Sequence, residues 1–406
     1  MSLPPVTAPA VPGHPEPSQV ELSPFDLGRL EQIHQITGPL AAVFRQEAAH
    51  SDRAEQLSDV GVRAIRDSGY AALTIPARLG GFGSSLHEFA VAQETLGQAD
   101  ASLALVAAMN AHLLGSVGEA GSWPEDVYAE LARAGVTRGA LSNSLASEPD
   151  LGSPSRGGLP STRAVRVDGG WQVTGLKTWS TGSRALDFLV VTAAVDGQQV
   201  WRFVIPAGTP GVEVLPTWKG SLGLRGSGSD DVQFTDVFVP GSHALPPTGP
   251  LSAPAQASSG GWFWTAVAAT YLGVGQAALD AFVQYANKRV PTALGEPIAT
   301  LPKVQQAAGQ MNLELLSARA LLVNVTRAWA EPEARPGLLP RLAAAKLLCT
   351  NAAVSVTDLA LRAAGGAALT ADLPLERYFR DARAGLTHPP SDDAALSMLG
   401  KQVLGL

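Results

Sequence analysis

The sequence predicts a multidomain α+β chain, mainly α, with a β-unit set between two helical units. Three observations carry this. Apolar residues recur at helical spacing from Asp26 to Val117, and again beyond about residue 259. Between Gly139 and Pro240 that spacing gives way to short β-type runs separated by Gly, Asp and Pro turns. The chain has 406 residues, enough for two or three units and a substantial core.

In chain order, residues 1–24 are rich in Pro, Ser and Ala and read as a disordered tail. The first helical domain, 25–138, holds segments from Asp26 to His50, Ser58 to Ser68, Leu86 to Gln98 and Ser102 to Val117. The glycine-rich run from Leu73 to Ser84 lacks a preceding βαβ strand and is read as a connector, not a phosphate cradle. His112 lies in an apolar run, as a core histidine or a pocket-lining one. The β-domain, 139–245, is a barrel or sandwich with strands at Ala164–Val167, Phe188–Ala193, Trp201–Ile205, Val212–Leu215 and Val232–Val239. After a polar, Pro-rich linker to about Ser259, the domain 246–406 has helices at Trp264–Arg289, Pro302–Trp329, Pro336–Ala364 and Pro390–Leu404.

Composition excludes several functions. Hydrophobic residues make up 46% and charged residues 16%, so a soluble chain of this kind is expected to cover further surface in an oligomer. A net charge of -7 without a Lys/Arg cluster argues against nucleic acid and polybasic membrane partners. The single cysteine, Cys349, excludes an intramolecular disulfide and a Cys-rich metal site, and no metal is expected. No signal sequence and no apolar run of membrane-spanning length is read, so the expected location is cytoplasmic.

The stretch Trp171–Ser183 reads as a hairpin turning at Thr174-Gly175. On a second strand, Trp179 and Thr181 would share one face. A flat aromatic wall beside a hydroxyl suits a planar heteroaromatic ring; the plainer reading is a hairpin with a half-buried tryptophan.

The order of local patterns resembles the acyl-CoA dehydrogenase superfamily from about residue 25 to 406. The matching stretches are Gly69–Gly83, Ser147-Glu-Pro-Asp-Leu-Gly-Ser153, Gly175-Leu-Lys-Thr-Trp-Ser-Thr181 and Leu222–Pro240, then Gly365-Gly366 and Arg377–Arg383. The resemblance implies an N-terminal helical domain, a middle β-barrel, a C-terminal four-helix bundle and a homotetramer. It also implies flavin, with Trp179 beside the ring, Thr181 near its N5, Ser153 of the matched motif among the cofactor-binding residues, and Arg289, Gly365 and Gly366 at the ADP half of FAD. FAD is the family default, and a freely exchanging FMN stands beside it because other positions of the ADP site are replaced. Flavin supplies redox chemistry that no side chain can.

Two departures matter. Pro389 stands where the commonest family pattern has its catalytic glutamate, and the start of the first bundle helix, the second family position for the base, holds Ala and Thr. Trp262-Phe-Trp264 replaces the arginine usual there. These departures resemble the flavin-dependent monooxygenase branch typified by dibenzothiophene monooxygenase. That branch has a histidine after an Arg-x-x-Arg run, which falls here on His388; its pocket Asn and Trp fall on Asn143 and Trp218.

Oxygen activation by reduced flavin needs hydrogen-bond donors and little water, and Thr181 and His388 are the expected catalytic residues. For His388 the plainer reading is packing of a Pro-rich turn. Asn143, Trp218, Trp262 and Trp264 are expected to line a pocket for an apolar or aromatic small molecule, although helix packing explains the last two equally well. A separate flavin reductase would then be a partner. Two other functions remain open: an acyl-CoA dehydrogenase with a displaced base, for which Glu148 is the nearest carboxylate in the motifs, and a flavin-free binding or scaffold protein.

Overall fold

The computed structural model describes residues 24–151, 158–247 and 251–406; the expected tail up to residue 23 and Ser153 lie outside the described residues. Five helices come first: α1 Pro24–Ala54, α2 Asp59–Asp67, α3 Leu86–Ala99, α4 Ala101–Ala120 and α5 Glu125–Arg138. Local chemistry fixes their starts. Ser58 caps α2, Ser85 and Glu88 form a reciprocal capping box on α3, and Asp100 accepts from Leu103 N on α4. Helix α5 is missing from the periodicity reading; Pro124 precedes it, and Glu125 and Asp126 lie at its positive end.

The middle of the chain forms one sheet of eight strands in the order β6-β7-β3-β2-β4-β5-β8, with β1 paired to β4. They are β1 Ser142–Leu145, β2 Arg163–Val167, β3 Gly170–Lys177, β4 Phe188–Val195, β5 Gln199–Pro206, β6 Val212–Leu215, β7 Asp231–Pro240 and β8 Ala244–Leu245. The expected hairpin turn at Thr174-Gly175 is not a turn. Strand β3 runs through it, paired to β2 on one edge and to β7 on the other, with a bulge between Val173 and Gly175. Only glycine fits the bulge, because a Cβ on Gly175 would lie 2.4 Å from Thr162 Oγ1.

The last block comprises α6 Ala253–Lys288, α7 Pro302–Ala328, α8 Arg335–Ala364, α9 Leu375–Ala382 and α10 Asp392–Leu404. Ser252 caps α6, so the expected linker to about Ser259 is helical well before Trp264. Helix α6 joins this block to the first. Gly97 on α3 faces Thr270 O, with a would-be Cβ at 2.2 Å, and Gly273 on α6 faces Glu94 O, at 2.4 Å. The two backbones meet because neither residue carries a side chain. Gln93 closes the seam, donating to Ala104 O and Thr270 Oγ1 while accepting from Tyr70 Oη.

The expectation that no apolar run reaches membrane-spanning length is corrected. Ala101–Ala120, Ala253–Lys288 and Pro332–Leu369 are long and apolar enough by length and composition. Protein fills the need in the first two, whose most apolar windows are 94% and 78% buried.

Gly273→Ala should destabilise the chain by about 1–3 kcal/mol through overpacking. Urea unfolding reads it, and an unchanged midpoint would mean that the seam yields freely.

Candidate active site

The loop after β3 is laid down on a second loop. Ser180 N donates to Asp230 O, Gly182 N to Ser227 O and Ser183 N to Gly228 O, so residues 180–183 lie along 227–230. Alternation between faces belongs to extended backbone, and it fails here. Trp179 has φ +54, Thr181 N donates back to Trp179 O, and the two side chains part: Trp179 is 65% exposed and Thr181 is 7% exposed. The shared face expected from a strand is therefore corrected. A bulky residue at positive φ costs on the order of 1–3 kcal/mol and persists only where its surroundings fix it. Thr181 Oγ1 meets Ser229 Oγ at 3.1 Å, and Ser229 Oγ meets Ser227 Oγ at 2.8 Å.

Two residues expected to line a substrate pocket brace these loops. Asn143 on β1 is buried and donates its Nδ2 to Thr181 O at 3.0 Å. Trp218 donates its Nε1 to Leu224 O at 2.8 Å. Leu224, also at positive φ, donates its N–H to Asp381 Oδ1 on α9 at 2.7 Å. Burial pushes Asp381 up to about 7 against the pull of this bond and of Arg377. Arg380 adds a bond to Leu222 O and an ion pair to Asp52 on α1. The site thus has helix α9 under one of its loops.

Glu148 is not a free base. It accepts from Ser161 N, Thr162 N and Lys177 Nζ, and in the Lys177 pair both side chains are at most 2% exposed. Burial alone would raise its pKa; the bonds from Lys177 and Thr162 hold it below the usual carboxylate range.

His388 lies across from α6. Its Nε2 is 3.1 Å from Tyr271 Oη, and its ring meets Phe263 edge to face at 6.3 Å. His112 on α4 meets the same Phe263 ring edge to face at 5.1 Å, which assigns it a place in this aromatic group. Burial, then the nearby charge of Lys346, pulls His388 down to about 4, and burial pulls His112 down to about 3. Both imidazoles are neutral at pH 7.

The expected pocket tryptophans point elsewhere. Trp262 is 3% exposed, packing over Gly115 and the Phe89 ring, and Trp264 packs against Gly260. Successive helical residues project about 100° apart, so in the run 262–264 only Phe263 reaches His388. That rotation was available from the sequence; which of the three directions faced the site was not. Phe263 and Tyr271 are the functional candidates that sequence reasoning missed.

Helix α4 relates the two halves. Val106 packs at Gly182, and His112, six residues on, packs at Phe263, a rise of about 9 Å. Arg289, Gly365 and Gly366 are exposed at the ends of α6 and α8. Among the described residues no hydrogen bond, ion pair or ring contact joins them to the Trp179–Thr181 loop. The exposed Trp179 indole offers an aromatic face on which a flat ring such as flavin's can stack, and the Thr181 hydroxyl, turned inward, is bonded to Ser229.

Three family descriptions match in order: acyl-CoA dehydrogenase N-terminal domain over residues 38–123, middle domain over 144–237 and C-terminal domain over 265–391. The putative acyl-CoA dehydrogenase YdbM of Bacillus subtilis (strain 168) is 41% identical over 366 residues, 90% of this chain and 94% of that protein. A structure of KijD3 with FMN and a dTDP-linked keto sugar is 26% identical, with TM-score 0.79 and coverage of 95% of each chain. TdsC from Paenibacillus sp. A11-2, solved with FMN and indole, shares the fold at TM-score 0.81 and 24% identity, covering 92% of this chain and 97% of its own.

Lys177→Met leaves Glu148 buried without its cation and should cost about 3–5 kcal/mol of stability. The double variant Lys177→Met/Glu148→Gln should lose less than the sum of the two single changes. Strict additivity in urea unfolding would show that the pair is not coupled.

Proposed function

The chain belongs to the acyl-CoA dehydrogenase family of flavin-dependent oxidoreductases, and from that premise we propose that its oxidant is dioxygen and its substrate an apolar or aromatic small molecule. The observation that carries this is the group around Phe263. His112, Tyr271 and His388 gather there, while Pro389 stands at the family's base position. Desaturation of a thioester needs a carboxylate to take a proton from carbon. Glu148 is committed to Lys177, and residues 264–275 of α6 carry no acid.

Flavin, when bound, supplies the two electrons by which dioxygen is divided between substrate and water. The chain's own residues do the rest. Trp179 stacks the ring, Thr181 bonds its edge, His388 donates a hydrogen bond toward oxygen, and Phe263 with His112 forms a dry aromatic wall for the substrate. Either flavin is compatible: Arg289, Gly365 and Gly366 suit FAD, whereas Arg362, at a position where FAD-binding members carry glutamine, is paired to Asp358. KijD3, solved with FMN, supports the smaller form. We assign the reducing equivalents to a separate reductase, since no α-helix links parallel strands of the sheet among the described residues.

A second reading has one observation in its favour. YdbM, the 41% identical relative, is named a putative acyl-CoA dehydrogenase. The two readings separate in one set of measurements on flavin-loaded protein. Anaerobic mixing with short, medium and long acyl-CoAs should leave the flavin band intact, and rapid bleaching with any of them establishes the second reading. With reduced flavin, oxygen and indole as the probe, wild type should give oxygenated product. His388→Ala should give about 10²–10³ fold less, releasing hydrogen peroxide instead. Equal product from both removes His388 from the chemistry.

We also propose a homotetramer. Leu313 and Leu316 on α7, Leu348 on α8 and Leu396 on α10 are exposed by 64%, 51%, 42% and 59%, apolar side chains that a subunit contact would cover. Light scattering should give four times the 42.0 kDa chain, and a monomer mass rejects the assignment.

A further inference from the structure

Behind His388 lies a charged group that the reading above does not use. Lys346 on α8 is 0% exposed, and its Nζ donates to Pro390 O at 3.0 Å, two residues beyond His388. A lysine buried to this degree is rare and needs partners, since removing an ammonium from water carries a large penalty. The charged group facing it from the start of α10 is Asp392. Its Oδ2 accepts from Asn351 Nδ2 at 3.0 Å, and its buried Oδ1 has no hydrogen-bond partner. From α6 comes the Tyr271 phenol, bonded to His388 and itself raised by burial and by Asp381. The imidazole is thus bonded to a phenol on α6, and the chain two residues on is bonded to an ammonium on α8.

We propose that Lys346 is a positioning residue for His388: its ammonium pins the Pro389-Pro390 corner to α8 and places a fixed positive charge behind the imidazole. This rests on the reading of His388 as a site residue. The consequence is chemical. A protonated His388 would be positive before it met the substrate and could not exchange its hydrogen bond with Tyr271 in either direction; the charge behind it opposes that protonation. Burial is the first cause of the low His388 value of about 4, and Lys346 is the second. Lys346 itself is lowered by burial to about 8, against the attraction of Asp392, so it carries its charge throughout the lower range in which His388 titrates.

The test reads His388 directly, without turnover. Exchange of the imidazole C2 proton for deuterium, followed by mass spectrometry on the His388 peptide of the full chain loaded with FMN, gives its midpoint. Wild type should titrate well below the ordinary 6.5 of a histidine. Lys346→Met should move the midpoint upward by about 1 unit, Lys346→Arg should keep it low, and His112 in the same samples should not move. A wild-type midpoint at or above 6.5 overturns the proposal even if Lys346→Met does not fold, and so does an unmoved midpoint in a folded Lys346→Met. If His388→Ala leaves oxygenation of indole unchanged while Lys346→Met still raises the midpoint, the functional reading fails and the positioning role stands.

Discussion

Helix α6 is the constraint on which the rest of the molecule depends. Its contact with α3 is made backbone to backbone at Gly97 and Gly273, which fixes the separation and register of the two helices. It also packs on α4, α7, α8 and α9, so little of its circumference is free. A helix buried on nearly every side can present residues to a site only where its neighbours part. Phe263 and Tyr271 are such residues, two turns apart on the stretch that faces His388. The order follows from packing: the seam places the helix, the helix places the phenyl and the phenol, and these place the imidazole.

Many polar residues near the site hold the scaffold and leave few groups for chemistry. Asn143, Trp218, Ser227, Ser229 and Asp381 all satisfy backbone or hydroxyl partners of the two apposed loops. Glu148 and Lys177 neutralise each other inside the sheet domain. What remains outward is an indole and a partly buried aromatic group containing two neutral imidazoles. Of the carboxylates near the site, Glu148 is paired to Lys177 and Asp381 accepts from Leu224 N, so both are engaged by the scaffold.

Much of the fold was legible because long amphipathic helices announce themselves. Helices α2, α3, α7 and α8 lie within a residue or two of the expected segments; Ser58 and Ser85 cap the first two, and Pro302 opens α7. Short elements held by tertiary contact were not. Strand β1, Ser-Asn-Ser-Leu, has little intrinsic β preference and exists through its parallel pairing with β4, and β8 has two residues. At the site, motifs supplied Thr181 and His388 as candidates; the structure sets the first against Ser229 and the second against Tyr271 and Phe263. Trp262 and Trp264 were misassigned because residue type alone does not say which side of a helix meets the cavity. The strand reading at Trp179 failed for a related reason: β-type composition does not reveal a positive φ.

Helix α4 has a consequence for how the chain is made. It is apolar enough to cross a bilayer, and in the finished fold α6 covers one of its faces while α3, β1 and neighbouring turns cover others. Helix α4 ends at Ala120 and α6 begins at Ala253, so residues 121–252 must be synthesised before the α6 face of the cover begins. At about 5–20 residues per second that interval is on the order of ten seconds. Throughout it the ribosome displays a segment that the cell's membrane-targeting and chaperone systems read by the same hydrophobicity. The first domain can pack α2, α3 and α5 on α4 as it emerges, but the α6 face stays open. Its completion waits for the third, so a nascent chain stalled in the sheet domain is exposed to mistargeting and aggregation in a way the native protein is not.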